Sequence, residues 1–178
     1  MRNNSLLGMV KRLVVLIDYV NLKAVNCLRW LLYVLMLIIV YDVILRYVFS
    51  APTNWSFHIS YMIGGTICAM GAAYTLQIDR HVHIDILYRT FPLEKRLLIN
   101  IIGMLVLFFP AMFFLTKFAW IRAINAWIIL EKGSYGFWYP PIYPYRTIIA
   151  IGFTLLLIQG LAVFIRDLHY FLKKEKLS

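Results

Sequence analysis

Apolar residues gather along the chain in four long runs, separated by short polar and aromatic connections. The runs cover roughly 24–47, 57–78, 97–117 and 147–165. A membrane span needs about 20 apolar residues, because the hydrocarbon layer is about 30 Å thick and a helix rises about 1.5 Å per residue. Each run meets that length. In lipid, backbone N–H and C=O groups must bond within their own segment, so each run is predicted to be a helix.

Two further stretches combine helical periodicity with charge. Over 5–22, Leu6, Val10, Leu13, Ile17 and Val20 share one face, with Lys11, Arg12 and Asp18 elsewhere. That pattern predicts an N-terminal amphipathic helix lying in the membrane surface. The region from Leu97 to Leu130 is too long for one upright span. Pro110 is placed to kink it, and Trp120, Ile124, Trp127 and Ile128 then recur at helical spacing beside Arg122 and Asn125. The reading is a span over 97–117 and an amphipathic interfacial extension over 118–130 at the outer face. The predicted fold class is an all-α integral membrane protein, one four-helix domain over 1–178.

Composition agrees. Hydrophobic residues make up 62% of the 178 residues and charged ones 15%, where soluble domains carry about 25% charged. Mean hydropathy is +0.77. Disorder, a coiled coil and an ordinary cytosolic enzyme are excluded. The N-terminus is read as retained, because Asp18 and Lys23 interrupt its apolar run and no small-residue cleavage site follows.

The net charge of +10 does not point to nucleic acid, because the basic residues form short clusters between the runs and no stripe. Their distribution sets an orientation instead. Arg2, Lys11, Arg12 and Lys23, then Arg80, Arg89, Lys95 and Arg96, then Arg166, Lys173, Lys174 and Lys176 put twelve on one side. The other side has five: Arg46, Lys117, Arg122, Lys132 and Arg146. Arg29 lies inside the first run, within reach of the near surface. Both termini are therefore expected in the cytoplasm. The aromatic, proline-rich connection containing Trp138, Tyr139, Pro140 and Pro141 becomes a rigid cap on the outer face.

Few residues in the runs carry chemistry. Ser60, Gly64, Cys68 and Ala72 form a row of small side chains at four-residue spacing, with Gly65, Ala69 and Ala73 beside it. Such rows let helices pack closely in lipid, either within this chain or against a larger partner. Asp42 and Arg46 stand four apart on one helical face and read as a structural ion pair. Gln159, flanked by Gly152 and Gly160, requires a hydrogen-bond partner and suggests a packed interface. Cys27 and Cys68 should lie at different depths, which argues against a disulfide. His81-Val82-His83-Ile84-Asp85 has the spacing of a dinuclear metal hydrolase, but the further ligands such a site draws from distant loops are lacking. A stronger rival is a haem-b membrane anchor of a respiratory enzyme, with His81 or His83 and His169 as axial ligands. A small independent exporter is a third reading, disfavoured because no span carries an unpaired acidic residue near its middle.

The motifs also resemble a family. Asp42-Val43-Ile44-Leu45-Arg46-Tyr47-Val48-Phe49, followed by Pro52 and Trp55, is similar to the end of the first span in the small membrane subunit of TRAP transporters, the DctQ-type or Q subunit. Gly71-Ala72-Ala73-Tyr74-Thr75-Leu76, running into the His81 to Asp85 segment, resembles that family's second span and its His-Val-x-Val-Asp element. Glu131, Trp138-Tyr139-Pro140-Pro141, Pro144, Gly152 and Gln159 resemble its outer loop and fourth span. The likeness covers about residues 30 to 165. One departure is His58, near a position where the family often has an acidic residue.

The resemblance implies a scaffold subunit in a bacterial inner membrane, without enzymatic activity or a cofactor of its own. Its implied partners are a large elevator-type permease, which carries the sodium coupling, and a periplasmic substrate-binding protein, with membrane lipids around them. The implied cargo is an organic anion such as a carboxylate or sulfonate. Asp42, Arg46, Trp55, the Ser60 to Ala72 row, His81, Asp85, Trp138, Pro140, Pro141 and Gln159 are then expected at subunit interfaces or in the architecture.

Overall fold

The computed structural model describes residues 2–51, 53–78, 93–133 and 138–173. Helix α1 runs Arg2–Val48 and α2 runs Ser56–Gln77. Helix α3, Leu93–Gly103, passes through a π-helical turn, Met104–Phe108, into α4, Phe109–Ile128. Helix α5 is Tyr143–Lys173. Among the described residues, four segments are long and apolar enough to cross a membrane: Val14–Val48, Ser56–Gln77, Leu97–Ile128 and Tyr143–Phe171. The four expected spans are present, and three of them are longer than expected.

The largest correction concerns the N-terminus. No break separates 5–22 from the first span; α1 is continuous over 47 residues, about 70 Å at the helical rise. Asp18 and Asn21 both turn inward and bond to α5. Val15, Leu16, Tyr19 and Val20 are exposed instead. Among the described side chains, Asp18 and Asn21 thus face protein together with Val14, while Arg12, Val15, Leu16, Tyr19 and Val20 face outward.

The 118–130 extension is likewise continuous with the span before it. It continues the third span as α4 and packs along α5, with Ala123 and Ala126 buried. The indoles of Trp120 and Trp127 donate to Thr154 Oγ1 at 3.0 Å and Thr147 Oγ1 at 2.8 Å. Pro110 accounts for the π-helical turn before it. Proline has no N–H and its ring crowds the carbonyl four residues back, here Val106, so the helix widens by one residue over Met104–Phe108.

Helix α5 lies at the centre. Ala150, Gln159 and Ala162 are fully buried, and Leu156 joins Ala73, Leu76 and Met112 in the apolar core. Among the described residues, six of the eleven buried hydrophobic ones are alanines: Ala69, Ala73, Ala123, Ala126, Ala150 and Ala162. Large apolar side chains such as Leu37, Phe113 and Leu107 point outward. That inversion suits lipid, where close backbone approach drives association and bulky apolar groups have no reason to hide. Gly152 shows how close the approach is, since a Cβ added there would lie 2.9 Å from the backbone carbon of Ala69.

Candidate functional site

At the end of the bundle where α1 begins and α5 finishes, four side chains form a polar clasp. Asn21 Nδ2 donates to Gln159 Oε1 at 2.6 Å, and Gln159 Nε2 donates to Asp18 Oδ1 at 3.0 Å. Arg166 closes the set by an ion pair to the other oxygen of Asp18. Gln159 therefore has the partners its burial requires, and a buried amide without them would cost about 1–3 kcal/mol. The sequence reading singled out Gln159 but not the other three. Their signal was spacing: Asp18 and Asn21 are three apart on one helix face, and Gln159 and Arg166 are two turns apart on another.

At the opposite end, Asp42 is buried and performs two tasks. One carboxylate oxygen accepts from Arg46 Nη2 at 2.7 Å, the expected pair. The other accepts the Thr53 backbone N–H at 3.2 Å and also the Thr53 hydroxyl. The carboxylate thereby fastens the end of α1 to the loop that enters α2. Ser50, at φ 51°, makes the reversal, and Ala51 N–H returns to the Leu45 carbonyl at 3.0 Å. Trp55 follows in that loop, its ring 5.9 Å from that of Tyr41.

The connection from α4 to α5 is held similarly. Leu130 takes a left-handed conformation, φ 48°, and Glu131 N–H returns to Ala126 O at 2.9 Å, closing a Schellman-type helix end. Arg146 then grips Glu131 with a two-pronged contact, Nε to Oε2 at 2.6 Å and Nη2 to Oε1 at 2.5 Å. That guanidinium holds the Glu131 carboxyl below its ordinary range. Pro140 is buried and its carbonyl accepts Gly133 N–H at 2.8 Å, while Pro141 pairs with Lys132 in an isolated bridge. Trp138 sits 6.0 Å, ring to ring, from His58. The described parts of this loop, 131–133 and 138–142, are thus paired with each other and set against α2 and α5.

The two small-residue rows of α2 separate. Gly65, Ala69 and Ala73 face inward: the Tyr145 hydroxyl fills the space beside Gly65, Ala69 backs Gly152, and Ala73 is fully buried. Among the described residues, nothing lies within 4 Å of a Cβ added at Gly64, and Cys68 is exposed. Ser60 is half-buried. Ala72 departs from the expected row, because it packs against the core. The open face continues instead through Gly71, also free of neighbours, and exposed Thr75. Gly64, Cys68, Gly71 and Thr75 thus repeat at three- and four-residue steps along one outward stripe.

The segment with His81, His83 and Asp85 lies outside the described residues. Of the rival haem set, only His169 is described, half-buried near the end of α5. Cys27 and Cys68 are both free thiols.

No curated protein matches the chain. A family does, over residues 35–169, described as the DctQ component of tripartite ATP-independent periplasmic transporters. That range takes in the Asp42 clasp, both faces of α2, the clipped loop and Gln159. The chain accordingly belongs to the DctQ family, the small membrane component of the TRAP transporters.

Proposed function

We propose that the chain is the scaffold subunit of its transporter, holding a large elevator-type permease during sodium-coupled, binding-protein-dependent uptake of an organic anion, a carboxylate or a sulfonate. The observation that carries this reading is the outward stripe of Gly64, Cys68, Gly71 and Thr75 on α2. A stripe of such small side chains lets another helix come close, which is how helices associate in lipid. The polar groups of the spans support the same reading. Asp18, Asn21, Gln159 and Arg166 bond helix to helix, and Asp42 bonds helix to loop. These are fastenings of an architecture, while substrate and sodium are handled by the large subunit.

The excess of Lys and Arg beside the chain termini supports cytoplasmic termini in a bacterial inner membrane. The clipped loop with Trp138, Pro140 and Pro141 then faces the periplasm, where the substrate-binding protein docks. Reconstitution tests the assignment. Liposomes with this chain alone take up no substrate, whereas all three components together do. Uptake by this chain alone would overturn the reading.

A further inference from the structure

Two hollows meet at the loop end of the bundle. One, of about 500 Å³, is roofed by the α4–α5 loop; the other, of about 330 Å³, is a crevice running down between α4 and α5. They share Tyr61, Tyr145 and Arg146 as common walls. In the crevice, polarity changes with depth in the same sense on both helices. On α4, Arg122 is at the mouth, with Phe118 and Leu115 four and seven residues further in, about 6 and 10 Å. On α5, Arg146 is at the mouth, and Ile149 and Phe153 lie three and seven residues inward, about 5 and 10 Å.

The charge at the mouth does not cancel. Glu131 neutralises one of the two guanidinium groups, Arg146, and Arg122 is close enough to act on Glu131 electrostatically. One positive charge is left over, and Arg146 still has N–H groups beyond the two that Glu131 accepts. We infer that this crevice is a phospholipid site: the phosphodiester lies between Arg122 and Arg146, and one acyl chain descends along Phe118 and Phe153. A phosphodiester supplies the single negative charge the mouth lacks. Its tail runs from headgroup level toward the bilayer centre, the direction in which the crevice becomes apolar. The inference concerns this chain's own surface and stands independently of the cargo assigned above.

Native mass spectrometry of the full chain in detergent tests the site, with dioctanoyl phosphatidylglycerol as the probe. One lipid should bind per chain. Arg122→Gln should weaken it about tenfold or more, the scale of one charged hydrogen bond, while Arg122→Lys retains most of the affinity. Ala119→Trp, which fills the crevice wall with a ring, should weaken it comparably. Arg122 is exposed, so unchanged helicity and melting are expected for its variants. Inorganic phosphate should not displace the lipid, and dioctanoylglycerol, with the same tails and no phosphate, should bind at least tenfold more weakly. Equal affinity of Arg122→Gln would overturn the site. So would displacement by inorganic phosphate, which would mean an ion site, or equal binding of dioctanoylglycerol, which would mean an apolar groove alone.

Discussion

Gly64 and Gly65 are adjacent in the chain and lead to different surroundings. A side chain added at Gly65 would collide with the Tyr145 ring, and the same face continues through Ala69 to the close contact with Gly152. One added at Gly64, or a further two turns along at Gly71, would meet none of the described residues within 4 Å. The inner face uses small residues to bring α2 onto α5. The outer face has the same kind of residue and none of the described residues packed upon it at Gly64 and Gly71. The comparison teaches that small side chains in a span record a close approach, and only the fold tells which approach is internal.

The strongest way to sharpen this contrast is to enlarge the inner face. Gly152→Leu forces side-chain atoms into the Ala69 backbone, which cannot rotate away, and overpacking of that kind costs about 1–3 kcal/mol or more. A lower melting temperature and loss of the monodisperse species in detergent are expected. Unchanged melting would show that the α2–α5 contact is looser than described. Gly71→Leu, by contrast, should leave melting unchanged.

Asp18→Ala should come next. It leaves Arg166 without its carboxylate and Gln159 Nε2 without its acceptor, a loss of about 1–3 kcal/mol. Thermal unfolding followed by circular dichroism measures it. An unshifted transition would return 5–22 to the surface position expected from its periodicity.

A smaller effect is expected at Glu131. Arg146 lowers its carboxyl pKa below the ordinary 4.5. The stabilisation is therefore fully present above about 4.5 and is lost as pH falls through the lower folded value. Wild-type stability measured from pH 7 downward should hold through pH 5 and drop in stronger acid. Glu131→Gln should start lower and lack that component of the drop; superimposable profiles would sink the assignment. The smallest change is expected from Leu130→Gly. The residue is exposed and left-handed, so glycine should be neutral or stabilising by about 0.5 kcal/mol, relief of backbone strain being partly offset by a more flexible unfolded chain. A marked fall in melting temperature would show that the Leu130 side chain holds the helix end.

Span number was legible because hydrocarbon thickness imposes a length, and the Asp42–Arg46 pair because its partners lie one helical turn apart. The start of α1 was misread for a physical reason. Asp18 looks like the solvent side of a surface helix until its partners, Gln159 and Arg166, arrive from the far end of the chain. Thr53 escaped notice because its bond to Asp42 depends on the turn at Ser50. Which small row faces inward could not be read from periodicity, since both rows have similar residues at the same spacing and only the position of α5 distinguishes them. The Glu131–Arg146 contact was hidden in the same way, its members being far apart until the loop closes.

The open face of α2 bears the proposed function, and retention of the large subunit tests it most directly. The chain carrying Gly64→Leu and Gly71→Leu is co-expressed with the large permease and purified through a tag on the variant. Unchanged melting of the isolated variant and at least a tenfold loss of co-purified permease are expected. Permease recovered in wild-type yield by that folded variant would contradict it.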